Sequence, residues 1–344
     1  MRLTARRGSG NGADQVATVF NNMKKMSVMA KTSPEMLARA AHIIRAGGLV
    51  AFPTETVYGL GADAGNGEAV ARIFEAKGRP RFNPLIVHVG DLEQAEMLGE
   101  FSPEARRLAE AFWPGPLSLV LPRRADAPLA GLASAGLPTV ALRVPSHPVA
   151  LALIEAAGVP IAAPSANLSG GVSATTAQHV AADFGDSIDL ILDGGASLEG
   201  LESTIVGFGP SGPVLLRSGA LPRASIEAVL ATSLAWPASR AAALQAPGML
   251  ASHYAPRAHL RLDATVPWRG EAFLAFGPSE SCDSDCLNLS ESGNLREAAA
   301  NLFSHLRHLD ASGPDMIAVA PIPEQGLGEA INDRLRRAAA PRSV

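Results

Sequence analysis

The chain has 344 residues, 47% hydrophobic and 18% charged, which excludes wholesale disorder and gives apolar surface for about two domains at ~150 residues each. The longest apolar run, Val149–Pro164, is broken by Glu155, Gly158 and Pro160 and falls short of the ~18 residues of a spanning helix, so no membrane association is expected. A net charge of −4 argues against broad capture of nucleic acid, and two cysteines cannot build a disulfide framework, so a cytoplasmic location is expected.

Residues 1–32 form a basic head that reads as a disordered extension: Arg2, Arg6, Arg7, Lys24, Lys25 and Lys31 face the single acid Asp14, with Gly8-Ser9-Gly10-Asn11-Gly12 between them. From residue 33 helical segments alternate with short apolar runs. Ser33-Pro34-Glu35 opens a helix that runs to Arg45 and stops at Gly47-Gly48. Leu49–Phe52 reads as a strand, Glu68–Lys77 as a helix ended by Gly78, and Leu85–Val89 as a strand. Pro103–Phe112 is helical, Trp113–Pro116 a turn and Leu117–Leu121 a strand. Further strands are expected at Thr139–Val144, Ile161–Ala163, Ile188–Leu192, Thr204–Phe208 and Val214–Arg217, with helices near His147–Ala157, Thr175–Phe184 and Pro222–Leu230. The fold class is α/β or α+β over residues 33–231, and the hairpin-like strands argue against a simple parallel sheet. Residues 232–257, rich in Ala, Pro and Ser, read as a linker. A second α/β unit follows over 258–344, with strands at His259–Leu262, Ala272–Phe276 and Met316–Ala320 and helices at Asn294–Leu309 and Glu329–Ala339.

The chain has no G-x-x-x-x-G-K-[ST], no G-x-G-x-x-G after a strand and no H-E-x-x-H. Cys282-x3-Cys286 with His305-x2-His308 resembles a zinc pattern, but the spacing is wrong, and an exposed loop followed by a helix with surface histidines is the simpler reading. After Lys31 the sole lysine is Lys77, in a chain that otherwise uses arginine. A compact ammonium in place of a planar fork points to a chemical requirement there, with chance as the alternative.

Four segments set polar residues at strand ends, where α/β proteins place binding sites. Pro53-Thr54-Glu55-Thr56-Val57-Tyr58-Gly59-Leu60-Gly61 is either a locally capped turn or part of a site. Lys77-Gly78-Arg79-Pro80-Arg81-Phe82-Asn83-Pro84 holds three cations in five residues, denser than a helix cap needs. Ile161-Ala162-Ala163 runs into Pro164-Ser165-Ala166-Asn167, whose small side chains suit close approach to a ligand or, equally, a Ser or Asx turn. Leu201-Glu202-Ser203-Thr204-Ile205 and Leu215-Leu216-Arg217-Ser218-Gly219 add hydroxyls and an arginine. Arg143, inside an apolar strand, requires a partner: an anionic ligand or an internal salt bridge.

In this order the blocks F-P-T-E-T-V-Y-G-L-G, N-P-L-I-V-H, W-P-G-P-L, A-P-S-A-N and E-S-T-I resemble the YrdC-like family, and the linker sequences Ala246-Pro247-Gly248-Met249 and His253-Tyr254-Ala255-Pro256 resemble its long, two-domain form. The resemblance covers Arg45 to about Leu230. It implies a YrdC-like twisted mixed sheet with flanking helices, plus a smaller Rossmann-like α/β C-terminal domain. It also implies a nucleotidyl transfer: L-threonine, bicarbonate and ATP, with Mg2+, give threonylcarbamoyl-AMP, pyrophosphate and water. The product would pass to the tRNA threonylcarbamoyl-transferase machinery, which modifies an adenosine beside the anticodon. The family's catalytic K-x-R and S-x-N stand here as Lys77, Arg79, Ser165 and Asn167. Its threonine contacts would be Thr56, His88, Arg143, Ala163 and Ser203. Its ATP contacts would be Arg79, Asn83, Thr139, Ser165, Ser173, Arg217 and Tyr254, and no metal ligand is expected from the protein. The bend that Gly248 permits, the restricting prolines and the Tyr254 ring read as a lid over the site, with Tyr254 packing between the domains as the alternative.

Three other readings compete. Carbamoyl transfer in hydrogenase maturation normally sits in a much larger chain with additional domains. A plain RNA-binding module fits poorly with an acidic balance and 5% aromatics, so direct tRNA binding is not expected. A regulatory nucleotide-binding protein without turnover is the third.

Overall fold

In the computed structural model, residues 29–210, 212–237, 253–278 and 285–341 are described. The segment Ala246–Met249, Cys282 and most of the basic head therefore lie outside the described residues. The strands of the first domain are β1 (Met29–Lys31), β2 (Val50–Phe52), β3 (Gly59–Asp63), β4 (Ile86–His88), β5 (Leu117–Pro122), β6 (Thr139–Arg143), β7 (Ile161–Ala162), β8 (Leu190–Asp193), β9 (Thr204–Gly209) and β10 (Gly212–Arg217). Its helices are α1 (Pro34–Arg45), α2 (Gly67–Lys77), α3 (Leu92–Glu96), α4 (Pro103–Phe112), α5 (Pro148–Ala157), α6 (Ala177–Phe184) and α7 (Arg223–Leu230).

Helix starts follow cap chemistry. The hydroxyls of Ser33 and Ser102 accept from Met36 N and Ala105 N at 3.2 Å, each ahead of a proline at the first helical position. Gly78, at φ 60°, closes α2 with its N–H on Glu75 O and Phe74 O, a left-handed step that glycine takes without strain.

One sheet takes all ten strands in the order β1-β8-β2-β3-β7-β4-β6-β5-β9-β10, mixing parallel and antiparallel pairs. Alternate residues of β2 serve opposite cores, as a period of two requires: Val50 and Phe52 pack with α1 and α5, whereas Ala51 packs with the α2, α4 and α6 side. The head departs from expectation at its end. Met29–Lys31 pairs in parallel with Ile191–Asp193, and Thr32 donates through both N and Oγ1 to Asp193 O, at 3.0 and 2.9 Å.

The second domain holds β11 (His259–Arg261), β12 (Ala272–Ala275), β13 (Cys286–Asn288) and β14 (Met316–Val319) in an all-parallel sheet, order β11-β14-β12-β13, with α8 (Leu295–Ala311) and α9 (Leu327–Ala339). Cys286 thus begins a strand and does not sit in an exposed loop. Its strand is short and its pairing lies with β12, which no local signal announces.

The domains share an apolar seam. Val57, Val172, Leu201 and Ala220 of the first domain, and Tyr254 of the linker, join Leu302, Phe303, Leu306, Ile331 and Leu335 of α8 and α9 in one buried cluster. Gly200 lies against the α8 backbone, where a Cβ would come within 2.3 Å of Ala299 O. Arg307 of α8 grips Asp183 at 2.6 and 2.9 Å and donates to the carbonyls of Val172 (2.5 Å) and Ser173 (3.3 Å). No helix among the described residues is long and apolar enough to cross a membrane.

Candidate active site

β4 and β6 run parallel in register, so their last residues, His88 and Arg143, stand side by side. The Arg143 guanidinium is almost wholly buried and divides its donors three ways: Nη2 to Glu55 Oε1 at 2.6 Å, Nη1 to Thr56 Oγ1 at 2.9 Å and Nε to Gly115 O at 3.2 Å. Of the two partners weighed from sequence the internal salt bridge is present, and Arg143 also lines the cavity. Burial opposes charge on Glu55, yet the adjoining Arg143 cation and its hydrogen bond hold that carboxyl below the usual range. His88 is held neutral: burial, then the Arg143 charge, lower its pKa to about 3.

Beside this cluster lies a second group of cations. Arg217, at the end of β10, donates to Ser203 O through Nε and Nη2, at 3.1 and 2.8 Å, and to Ser203 Oγ at 3.2 Å. Ser118 Oγ stands 2.8 Å from the same hydroxyl. Arg79 reaches Asn83 O (3.2 Å) and Pro84 O (3.0 Å), and burial together with the Arg217 charge lowers its pKa to about 10. His253 and Tyr254 complete the wall with rings 4.1 Å apart, and Tyr254 stacks on Phe303 at 5.6 Å. Burial, followed by the charges of Arg337, Arg79, Lys77 and Arg217, pushes His253 well below the ordinary imidazole range.

Of the residues expected from sequence, the cavity is lined by Thr56, Arg79, His88, Arg143, Ala163, Ser165, Ser203, Arg217 and Tyr254. Lys77, Asn83, Thr139, Asn167 and Ser173 stand outside its wall. Lys77 is buried, and its Nζ donates to Ser165 O at 2.6 Å and to Asn167 O, tying the end of α2 to the Pro164–Asn167 loop. Asn167 Nδ2 bonds the carbonyls of Leu168 (2.7 Å) and Gly171 (2.9 Å). Asn83 offers its carbonyl to Arg79, Ser173 its hydroxyl to Glu202, and Thr139 lies at the far end of β6 from Arg143.

The wall also holds Thr54, Tyr58, Glu202 and His253, to which the residue patterns gave no role. Thr54 Oγ1 contacts Thr56 Oγ1 at 2.8 Å, and Tyr58 donates to Gly195 O at 2.7 Å. Each lies in a segment that the sequence patterns single out, so adjacency is the signal that could have found them. Among the described residues no group of three or more His, Cys, Asp or Glu could hold a metal ion.

Residues 42–219 match the family Sua5_yciO_yrdC, described as "Telomere recombination", and residues 221–340 match "Threonylcarbamoyl-AMP synthase, C-terminal domain". A threonylcarbamoyl-AMP synthase of Pyrococcus abyssi is 45% identical, over 89% of this chain and 94% of the relative. One of Bacillus subtilis is 42% identical, over 91% and 95%. The crystal structure of P. abyssi Sua5 complexed with L-threonine superposes with a TM-score of 0.82 at 43% identity, covering 91% of this chain and 97% of that one.

Proposed function

Since the chain belongs to the Sua5/YciO/YrdC family in its two-domain, threonylcarbamoyl-AMP synthase form, we propose that it converts L-threonine, bicarbonate and ATP into threonylcarbamoyl-AMP, pyrophosphate and water. The observation that carries this reading is the Arg143–Thr56–His88 group sharing one cavity with Arg79 and Arg217. A planar guanidinium matches the threonine carboxylate, and paired arginines suit a polyphosphate.

In this reading Arg143 receives the amino acid's carboxylate, and the neutral His88 adds no charge that would oppose the substrate's ammonium as it enters. After that ammonium gives one proton to solvent, the amine attacks the bicarbonate carbon; the bicarbonate hydroxyl leaves as water with a second amine proton, and a carbamate remains. A carbamate oxygen then attacks the α-phosphorus and pyrophosphate leaves. Arg79 and Arg217 stabilise the charge that builds on the phosphates, in a site screened from water by Tyr254 and His253. Lys77 acts at one remove, by shaping the Ser165–Asn167 loop. The lining offers cations and one acid, Glu202, already engaged by Arg334, so Mg2+ would enter as a companion of ATP, held through its phosphates.

His253 and Tyr254, at the end of the linker, serve as a lid on this cavity, and the product feeds tRNA modification in the cytoplasm. The test is pyrophosphate release from ATP by the purified protein, with threonine and bicarbonate each omitted in turn. Release that needs both supports the reading, and release independent of threonine overturns it.

A further inference from the structure

Arg334 lies on the apolar face of α9, between Ile331 and Leu335, and is the largest wholly buried side chain among the described residues. Replacing a buried ion pair with an apolar residue of similar size is commonly neutral or stabilising, so stability alone gives no reason for an arginine there. Its contacts cross into the first domain. Nε donates to Glu202 Oε2 at 3.0 Å, Nη1 to Ser218 O at 2.7 Å, and the guanidinium lies 5.2 Å from the centre of the Tyr254 ring. Within its own helix it meets Asp333 at 2.9 Å. The other oxygen of Glu202 accepts from Ser173 Oγ. Glu202 is a cavity residue adjoining Ser203, and Ser218 adjoins Arg217. One side chain of the second domain thus reaches three parts of the site's surroundings.

We propose that Arg334 is a positioning residue for the adenylation step. By fixing Glu202, it orients Ser173, and with Ser218 and Tyr254 it holds the nucleotide-facing wall in shape only when the domains are docked. This rests on the synthase reading above. It gives the second domain a defined part in catalysis, contributed through one guanidinium with no direct contact to substrate. Without Arg334, Glu202 is left as a buried carboxylate short of a donor. It must then turn or take up a proton, and Ser173 and the wall beside Arg217 shift with it.

The experiment compares wild type with Arg334→Lys, Arg334→Met, Glu202→Gln and the Arg334→Met/Glu202→Gln double variant. Glu329→Gln serves as control, because Glu329 of α9 makes a separate bridge to Arg223 of the first domain at 3.4 Å. Pyrophosphate release is followed against ATP and against threonine, ATP binding by calorimetry, and unfolding by melting of the same samples. Arg334→Met is expected to raise the ATP KM and Kd tenfold or more while the threonine KM stays within twofold. Arg334→Lys should give a smaller rise, and Glu329→Gln none. The double variant should bind ATP more tightly than Arg334→Met, since a side-chain amide in place of the Glu202 carboxylate can still accept from Ser173 without a buried charge. Equal rises for both substrates, or a lower melting temperature with an unchanged ATP Kd, overturn the proposal. Failure of the synthase reading would show separately, as wild type without threonine-dependent release, and the ATP calorimetry would still decide the role of Arg334.

Discussion

Arg143 illustrates how a single side chain can be both paired within the fold and part of a cavity wall. Its pairing with Glu55 satisfies the buried charge, and the planar fork is held in place before any substrate arrives. Arg143→Ala is expected to weaken threonine binding by a hundredfold or more while ATP binding changes no more than threefold. Separate calorimetric titrations check this, and equal weakening of both would assign Arg143 to the scaffold alone. Lys77 changes meaning between sequence and structure. The rarity of lysine marks it out, and its ammonium bonds two carbonyls while standing outside the wall of the site cavity. Lys77→Arg should therefore overpack the site, costing about 1–3 kcal/mol of stability and most of the turnover. Melting and turnover on one sample test this. His88 makes a pH prediction with a definite sign. Its folded pKa of about 3 lies below the unfolded value near 6.5, so the unfolded chain binds a proton the folded one refuses. Stability is full above about pH 6.5 and falls as pH drops toward 3, by roughly 2 kcal/mol between pH 6.5 and 4.5 from this residue. Urea unfolding at several pH values should show a shallower acid limb in His88→Gln.

At the level of elements, legibility follows the strength of local chemistry. α4 is readable to the residue because Ser102-Pro103-Glu104 states its start and Trp113-Pro114 its stop. β3 is hidden because Gly59-Leu60-Gly61 reads as a turn, and only its antiparallel neighbours β2 and β7 make it a strand. β1 and β13 are likewise three-residue strands defined by partners that no local signal names. The residues matching the family's motifs are legible as a set. Arg334 is not, because on α9 it sits among apolar positions with no motif around it. Tyr254 lies between these cases. Tyr254 is buried in the seam, so Tyr254→Ala should lower both melting temperature and ATP affinity. Tyr254→Phe separates the two effects. The buried Oη has no hydrogen-bond partner among the described residues, so losing it should leave melting unchanged or raised, while ATP binding weakens severalfold.

For the whole molecule, the shared seam predicts that the two domains unfold as one cooperative unit. Gly200 is its narrowest point: at φ +67°, with a Cβ that would meet Ala299 O and Ala300 Cα at 2.3 and 2.5 Å, alanine has no place there. The wild type is expected to show a single calorimetric unfolding transition, and Gly200→Ala should separate it into two and cost about 2–4 kcal/mol in docking. A single unshifted transition would show that the domains unfold independently of that contact. The path of the chain through the site adds a consequence in time. Thr54 stands near one end of the sequence and Arg334 near the other, yet one lines the cavity and the other braces its wall. At roughly 5–20 residues per second of synthesis, tens of seconds separate the first of these residues from the last. A nascent chain carrying Arg79, Arg143 and Arg217 therefore passes through a stage in which their charges are gathered before the Arg334–Glu202 pair and the Tyr254 wall exist. During that interval Glu202 stands beside Arg217 without its later partner, so the wall of the half-built pocket is set by the first domain alone and takes its final shape only when α9 arrives.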